Sequence, residues 1–526
     1  MFDLLITNAL IVDGTGAPAQ LGSIAVRDGK IASVGAGQPL AAAPATVVVD
    51  AAGDVVAPGF IDLHSHADFS IQGAPAAESQ LMQGVTTVVT GNCGASPFPT
   101  HDLGQIRRAG AQFDAVFNGA WDDARGYAAA TAEHRPGVNL VMQLGHTTLR
   151  AHVLGLANRP ATDEELALMA GEIHLAAEQG VRGFTSGLVY APGSFAGERE
   201  MQVLARAAAE AGLLYSTHMR NESDRLLDSL DEAIATSEAA GARLEISHLK
   251  AMGPANHGLP LIALERIESA HARGLDVAAD VYPYAASSTT LTSRLPAFAL
   301  DGGPAAMLKR LRDRHERPRV AAGIAERFGR DLDPTGVRIA GVGPSSGEDF
   351  SWGAGLSLTE LGERLDCSPE EAALRVLEGH NGAVAIVNHA MSEADVEAVL
   401  AHPLVSVASD GWTLSVAGDG VPHPRSFGTF ARVLGEYVRE RGVLTLEEAV
   451  RKMTSLPASR IGLEERGTIV VGKVADLVRF DQGRISDRAS YAQPRQLAFG
   501  VQDVWVGGRP AVSGGAMTAG RYGQVL

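Results

Sequence analysis

The 526 residues exceed one average domain, and 61 acidic against 44 basic side chains leave a net charge of −17 that opposes nucleic acid or an anionic membrane as partner. Hydrophobic residues at 45%, charged residues at 20% and only two cysteines, Cys93 and Cys367, exclude a disordered chain and a disulfide scaffold, and fit a reducing compartment. The start Met1-Phe2-Asp3-Leu4 has neither the basic stretch nor the apolar run of a signal peptide, and no apolar run reaches membrane-spanning length, so a cytoplasmic protein is expected.

Residues 1–57 read as short strands: Leu4-Leu5-Ile6, Ile24-Ala25-Val26, a turn at Asp28-Gly29, then Ile31 to Val34. Residues 464–526 read alike, through Gly467 to Val478 and Val504-Trp505-Val506-Gly507-Gly508. Each end has too few strands to bury a face alone, so the two are expected to combine into one small β-sandwich.

Residues 58–463 alternate buried-strand runs with amphipathic helices, the pattern of parallel βαβ units. The strands are Phe60 to His64, Val85 to Thr90, Leu140 to Leu144, Val181 to Thr185, Leu213 to His218, Leu244 to His248, Val277 to Tyr282 and Val405 to Ser409; helices include 162–179, 199–211, 224–240 and 260–273. This α/β pattern predicts a metal-dependent, TIM-like (β/α)₈ barrel, with its chemistry at the carboxyl ends of the strands. Residues 285–382 are too long for one crossover and read as an insertion, either a lid or a plain helical addition. The apolar run Ala383 to Val387 leaves the strand count open.

His64-Ser65-His66 closes the run Pro58-Gly59-Phe60-Ile61-Asp62-Leu63, and residues i and i+2 of a strand share a face, so both imidazoles can meet one cation. Alone, such a pair is weak. Its weight comes from recurrence: Cys93 follows Val88-Val89-Thr90, His218 follows Tyr215-Ser216-Thr217, His248 follows Ile246-Ser247 and Asp410 follows Ala408-Ser409. Imidazole and thiolate suit Zn²⁺, and a carboxylate beside an open coordination position suits hydrolysis by metal-activated water. Asp410 is the candidate general acid/base, against the bland alternatives of a metal ligand only or an N-cap before Gly411-Trp412; for Cys93 the alternative is a buried inert thiol. Cys367 reads as structural.

His64-x-His66, Gly91-Asn92-Cys93-Gly94, Ser186-Gly187-Leu188-x-Tyr190-x-Pro192-Gly193, Thr217-His218-x-Arg220-Asn221-Glu222, Ser247-His248-Leu249-Lys250, Asp280-x-Tyr282-Pro283-Tyr284 and Ser409-Asp410-Gly411 together resemble the D-aminoacylases (N-acyl-D-amino-acid deacylases) of the amidohydrolase superfamily. The resemblance covers essentially the whole chain and is weakest around 300–380. It implies a β-sandwich with a metal-binding barrel, and Cys93 where many relatives use a carboxylated lysine; the fourth strand, Gly183-Phe184-Thr185-Ser186, indeed has no lysine. It further implies a tight zinc on Cys93, His218 and His248, and a second, weakly occupied position on His64, His66 and a shared Cys93.

The implied reaction turns an N-acyl-D-amino acid and water into a carboxylate and a free D-amino acid; the handedness comes from the resemblance alone. Arg425, in His423-Pro424-Arg425-Ser426-Phe427-Gly428, falls where the family's partner for the substrate carboxylate would be. Lys250, Tyr282 and Ser287 or Ser288 are further substrate-binding candidates, and Arg220 is expected to pair with Glu222 or Asp224. His146 and His389 read as ordinary hydrogen-bonded histidines, while His257, in the Asn256-His257-Gly258 loop after His248, is within range of a substrate although nothing in its spacing demands that role. Three other readings stand beside this one: a cyclic-amide hydrolase of dihydropyrimidinase or hydantoinase type, disfavoured by the missing lysine; a metal-dependent deaminase, disfavoured by the lack of a glutamate just after His248; and a catalytically silent metal-binding barrel. The expected partner is a small N-acyl amino acid; subunit number is open.

Overall fold

The computed structural model describes the chain except residues 37–43, 102–103, 105–116 and 118. Eight parallel strands form its centre: β1 Phe60–Asp62, β2 Val85–Thr90, β3 Asn139–Gly145, β4 Gly183–Gly187, β5 Leu214–His218, β6 Leu244–Ile246, β7 Val277–Val281 and β8 Val405–Val407. Each pairs with its sequence neighbour, giving one sheet in the order β8 to β1. The sheet bends round until its edges meet at the carboxyl ends, where Asp410 N–H donates to His64 O at 2.7 Å and His66 N–H to Gly411 O at 2.8 Å. These are the eight predicted strands, some trimmed at the carboxyl end, where donor residues turn out of the ladder.

The strand sequences account for the barrel. In β2, Val-Thr-Thr-Val-Val-Thr is buried throughout, as a parallel strand with both faces covered requires, and its β-branched side chains favour extended backbone. The covering helices follow the predicted spans closely. In Asp163–Glu178, Thr162 and Glu165 form a reciprocal capping box and Leu166, Met169, Ile173 and Ala176 line the buried stripe.

Between β7 and β8 lies an excursion with a core of its own, including Leu291, Met307, Leu311, Ile324, Val337, Ile339, Leu374 and Ile386. Its antiparallel sheet runs Ala286–Thr290, Val384–His389, Val337–Val342. The ambiguous run at Ala383 to Val387 is therefore the middle strand of this sheet and not a barrel strand, and the excursion extends past 382.

Both chain ends enter one nine-stranded, largely antiparallel sheet. Val55–Pro58 is the seam: it lies parallel to Phe2–Ile11 and antiparallel to Leu477–Phe480, with Leu477 opposite Pro58. Leu4, Ile24, Leu477 and Trp505 share one core. Of the predicted run Gly467 to Val478, only its end enters a strand; Val470 and Val471 are exposed. No helix among the described residues is long and apolar enough to cross a membrane.

Candidate metal centre and active site

The turn after β2 is built to aim a thiol inward. Gly91 has φ +82°, and a Cβ there would lie 2.0 Å from Gln143 O, so no side chain fits. The amide of Asn92 donates to Val89 O at 2.9 Å, while its Oδ1 accepts from Gln143 Nε2 at 3.0 Å. Cys93 then takes φ 55° and its Sγ reaches the barrel axis, 3.3 Å from His64 Nε2, 3.5 Å from His218 Nδ1 and 3.3 Å from His248 Nε2. His248 and Asp410 also adopt positive φ, 37° and 51°. Three non-glycine residues in a region that costs roughly 1–2 kcal/mol each mark a place where the fold overrides local preference.

Buried carboxylates hold the imidazoles. Glu222 Oε2 lies 3.3 Å from His218 Nε2, and its Oε1 lies 2.9 Å from His248 Nδ1 and 2.7 Å from Lys250 Nζ. Asp280 faces His64 Nδ1 at 3.3 Å and accepts the His248 backbone N–H at 2.8 Å. Asp410 Oδ1 is 3.0 Å from His66 Nε2 and 3.4 Å from His64 Nε2. On its other side, Arg425 Nη1 is 2.7 Å from Oδ2, at ion-pair distance but out of line for a hydrogen bond.

Burial depresses the basicity of the imidazoles, to about 3 for His64 and about 4 for His248, where Lys250 adds to the effect. Neutral imidazoles are what a cation binds. Burial, helped by the negative charge of Asp410, pushes the Cys93 thiol well above its ordinary range, so a thiolate there needs a cation beside it. Burial alone would raise Glu222 and Asp410, but the groups facing them overcome it and hold both well below the usual carboxylate range: the His218 ring, the Lys250 ammonium and the His248 ring around Glu222, the Arg425 guanidinium and the His64 and His66 rings around Asp410.

The donor set fits a tetrahedral zinc-type ion. With bonds of about 2.3 Å to sulfur and about 2.05 Å to nitrogen, the S···N edge of a tetrahedron is about 3.5 Å, close to the separations around Cys93. Two groups of donors lie close enough for one ion each: His64, Cys93, His248 and Asp410, and His218, Glu222 and His248.

All the predicted site residues except His64, which is buried beneath, line one cavity of about 600 Å³: His66, Cys93, His218, His248, Lys250, Tyr282, Ser287, Ser288, Asp410 and Arg425. His66 stacks on Trp412 with centroids 5.8 Å apart and reaches Asp410. The Tyr282 hydroxyl is buried without a hydrogen-bond partner, and its ring lies 5.1 Å from the Arg425 guanidinium carbon. Ser288 uses its carbonyl, which accepts from Arg425 Nη2 at 3.1 Å, and Ser287 Oγ faces Met252 Sδ at 3.9 Å.

Some expectations change. Lys250 is occupied by Glu222 and by His248, whose Nδ1 is 2.8 Å away. Arg220 pairs with Glu232 at 2.8 Å, not with Glu222 or Asp224. His146 is an internal partner of Glu200 at 2.8 Å, and His257 faces Ala390 O at 3.3 Å. Sequence reasoning passed over Glu222 and Asp280 as site residues, although both stand in quoted motifs; their signal was an acid at a fixed offset from a donor, His218 plus four and Tyr282 minus two. Arg294, buried on the cavity wall with no partner for Nε, gave no signal.

The sequence pattern of the amidohydrolase family matches residues 47–326 and 372–512. An N-acyl-D-glutamate deacylase of Alcaligenes xylosoxydans xylosoxydans is 36% identical over 525 residues, covering 100% of this chain and 96% of the relative. An N-acyl-D-aspartate deacylase of the same organism is 36% identical over 534 residues, covering 100% and 95%. The crystal structure of N-acyl-D-glutamate deacylase from Bordetella bronchiseptica, complexed with zinc and a phosphonate mimic of the tetrahedral intermediate, superposes with a TM-score of 0.85 at 35% identity, covering 100% of this chain and 99% of that one. With its barrel, its end-to-end sheet and this likeness along its whole length, the chain belongs to the amidohydrolase family.

Proposed function

We propose that the chain hydrolyses the amide bond of N-acyl-D-amino acids in the cytoplasm, with zinc held by Cys93, His218 and His248 and Asp410 as general acid/base. The observation that carries this reading is the meeting of the Cys93 thiol with His64, His218 and His248 within 3.5 Å, directly in front of Asp410. A second, weaker zinc position falls to His64, His66 and the shared Cys93, with Asp410 close enough to join it. Bound zinc supplies the Lewis acidity that polarises the scissile carbonyl and acidifies water.

The chain's own groups do the rest. Asp410 takes a proton from the attacking water and returns it to the leaving amine. Arg425 holds the substrate carboxylate, and the unpartnered Tyr282 hydroxyl donates to the same end of the substrate. Ser287 and Ser288 shape that wall, while Lys250 and Glu222 fix the His248 ring. The D preference rests on the names of the relatives. Buried Arg294 favours an acidic side chain among D substrates, because a guanidinium in a cavity wall whose Nε has no partner and whose Nη2 faces only the Met252 sulfur at 4.0 Å is stabilised by an anion. The division into 1–57, 58–463 and 464–526 belongs to the same proposal, supported by the sheet the two ends share; the free state of Cys93 and Cys367 supports the reducing compartment.

The test is a panel of N-acyl-D- and N-acyl-L-amino acids, with hydantoin alongside, run at measured zinc stoichiometry. D-selective hydrolysis lost to a chelator and restored by zinc is expected. Hydantoin opening in its place would move the assignment to cyclic amides, and a preparation that zinc does not rescue would favour a silent barrel. Cys93→Ala is expected to lose zinc and activity together; full zinc content in that variant would remove Cys93 as the anchor.

A further inference from the structure

His423 lies outside the metal cluster, two residues before Arg425, and is buried. Its ring has no freedom of role. The Arg425 backbone N–H, an orphan donor in the first turn of helix Arg425–Arg432, donates to His423 Nδ1 at 3.0 Å. Nδ1 is therefore the acceptor, and Nε2 carries the proton that it donates to Ala286 O at 2.9 Å. Burial, reinforced by the Arg425 charge, keeps the imidazole neutral, as this pattern requires. Tyr284 and Tyr491 pack edge-on to the ring, 5.0 and 5.3 Å away, and lock its plane.

The strand that receives this proton lines the proposed substrate cavity. Ala286–Thr290 is an edge of the three-stranded sheet, paired only with Val384–His389 among the described residues. Carbonyls two residues apart point the same way, so Ala286 O and Ser288 O share the edge that the ladder leaves open. His423 takes the first and the Arg425 guanidinium takes the second at 3.1 Å. One imidazole thus fixes where the arginine's backbone starts and where the strand that receives its guanidinium runs.

We infer that His423 is a positioning residue for Arg425, clamping it between the barrel helix and the edge of strand Ala286–Thr290 so that the guanidinium is presented to the substrate carboxylate. This deepens the proposed function and rests on its assignment of the carboxylate to Arg425. His423 touches neither substrate nor metal in this role, so its loss acts on binding and leaves the metal centre intact.

The experiment is a double-mutant cycle on the zinc-loaded enzyme with an N-acyl-D-amino acid substrate. His423→Phe keeps a ring of similar size and removes both hydrogen bonds; KM is expected to rise about tenfold with kcat within about twofold and zinc content unchanged. In the Arg425→Ala background the same change is expected to add nothing, because residues acting as one unit are not additive. His423→Asn, which returns an acceptor near the Nδ1 position, is expected to recover part of the KM, and His423→Leu, which also lacks both hydrogen bonds, replaces the Phe variant in the cycle should that one not fold. A raised KM in Arg425→Ala with an unchanged KM in His423→Phe would overturn the positioning role alone. Additive effects, or a fall in kcat that tracks zinc loss, would overturn it too. An unchanged KM in Arg425→Ala would overturn the carboxylate assignment and this role with it.

Discussion

The guanidinium of Arg425 stands 2.7 Å from the carboxylate of Asp410, and both are buried. The residue proposed to bind the substrate and the residue proposed to move its proton are thus in contact before any substrate arrives. Arg425→Ala is accordingly expected to do two things. KM for carboxylate-bearing substrates rises, and the metal-free protein is destabilised by about 3 kcal/mol because Asp410 keeps a buried charge without its counterion. Steady-state kinetics and thermal unfolding after zinc removal check the two parts separately.

Asp410→Asn preserves shape and removes the proton acceptor. It is expected to leave the tight zinc in place and to lower kcat on the order of 10³-fold, the usual worth of general acid–base catalysis. Zinc stoichiometry measured beside turnover is the check; an unaltered kcat would take Asp410 out of the mechanism.

Glu222 faces one nitrogen each of His218 and His248. Glu222→Gln keeps the size and loses the charge that orients both rings, so zinc affinity is expected to fall about 10- to 100-fold, as for other carboxylates behind metal-bound histidines. A competition titration with a chromogenic chelator reads this directly. Retention of full affinity would show that packing, not the carboxylate, holds the rings.

Asp62 gives a pH signature away from the cavity. Burial lifts its carboxyl to about 7 despite hydrogen bonds from the Ser409 hydroxyl and backbone. An unfolded aspartate titrates near about 4, so between these values the folded chain keeps a proton that the unfolded chain has released. The contribution of this group is complete below the lower value and is lost as pH rises through about 7. Asp62→Asn is expected to flatten the loss of stability over that window in the metal-free protein, measured by denaturant unfolding at several pH values.

The barrel and most of the cluster were legible because each donor follows an apolar run: His64, Cys93, His218, His248 and Asp410 all stand where a buried strand gives way to polar residues. Glu222 and Asp280 were not: Glu222 stands in the loop after Leu214–His218 and looks like any solvated acid, and Asp280 stands inside Val277–Val281, where the sequence does not say what its carboxylate faces until tertiary closure buries both. The run at Val384–His389 has the composition of a barrel strand, and period alone does not say which sheet a strand joins. His423 is invisible for a related reason: its two partners, Arg425 and Ala286, are near and far in sequence, and only the fold makes them neighbours.

The seam between Val55–Pro58 and Leu477–Phe480 joins positions more than four hundred residues apart. During synthesis the early strands emerge long before this mate exists, and although they can pair with one another, the far edge of Val55–Pro58 must wait, apolar and open, while the whole barrel is translated. Closing so long a loop is slow, and waiting edges are sticky, so the yield of native protein should depend on how quickly the last strands arrive.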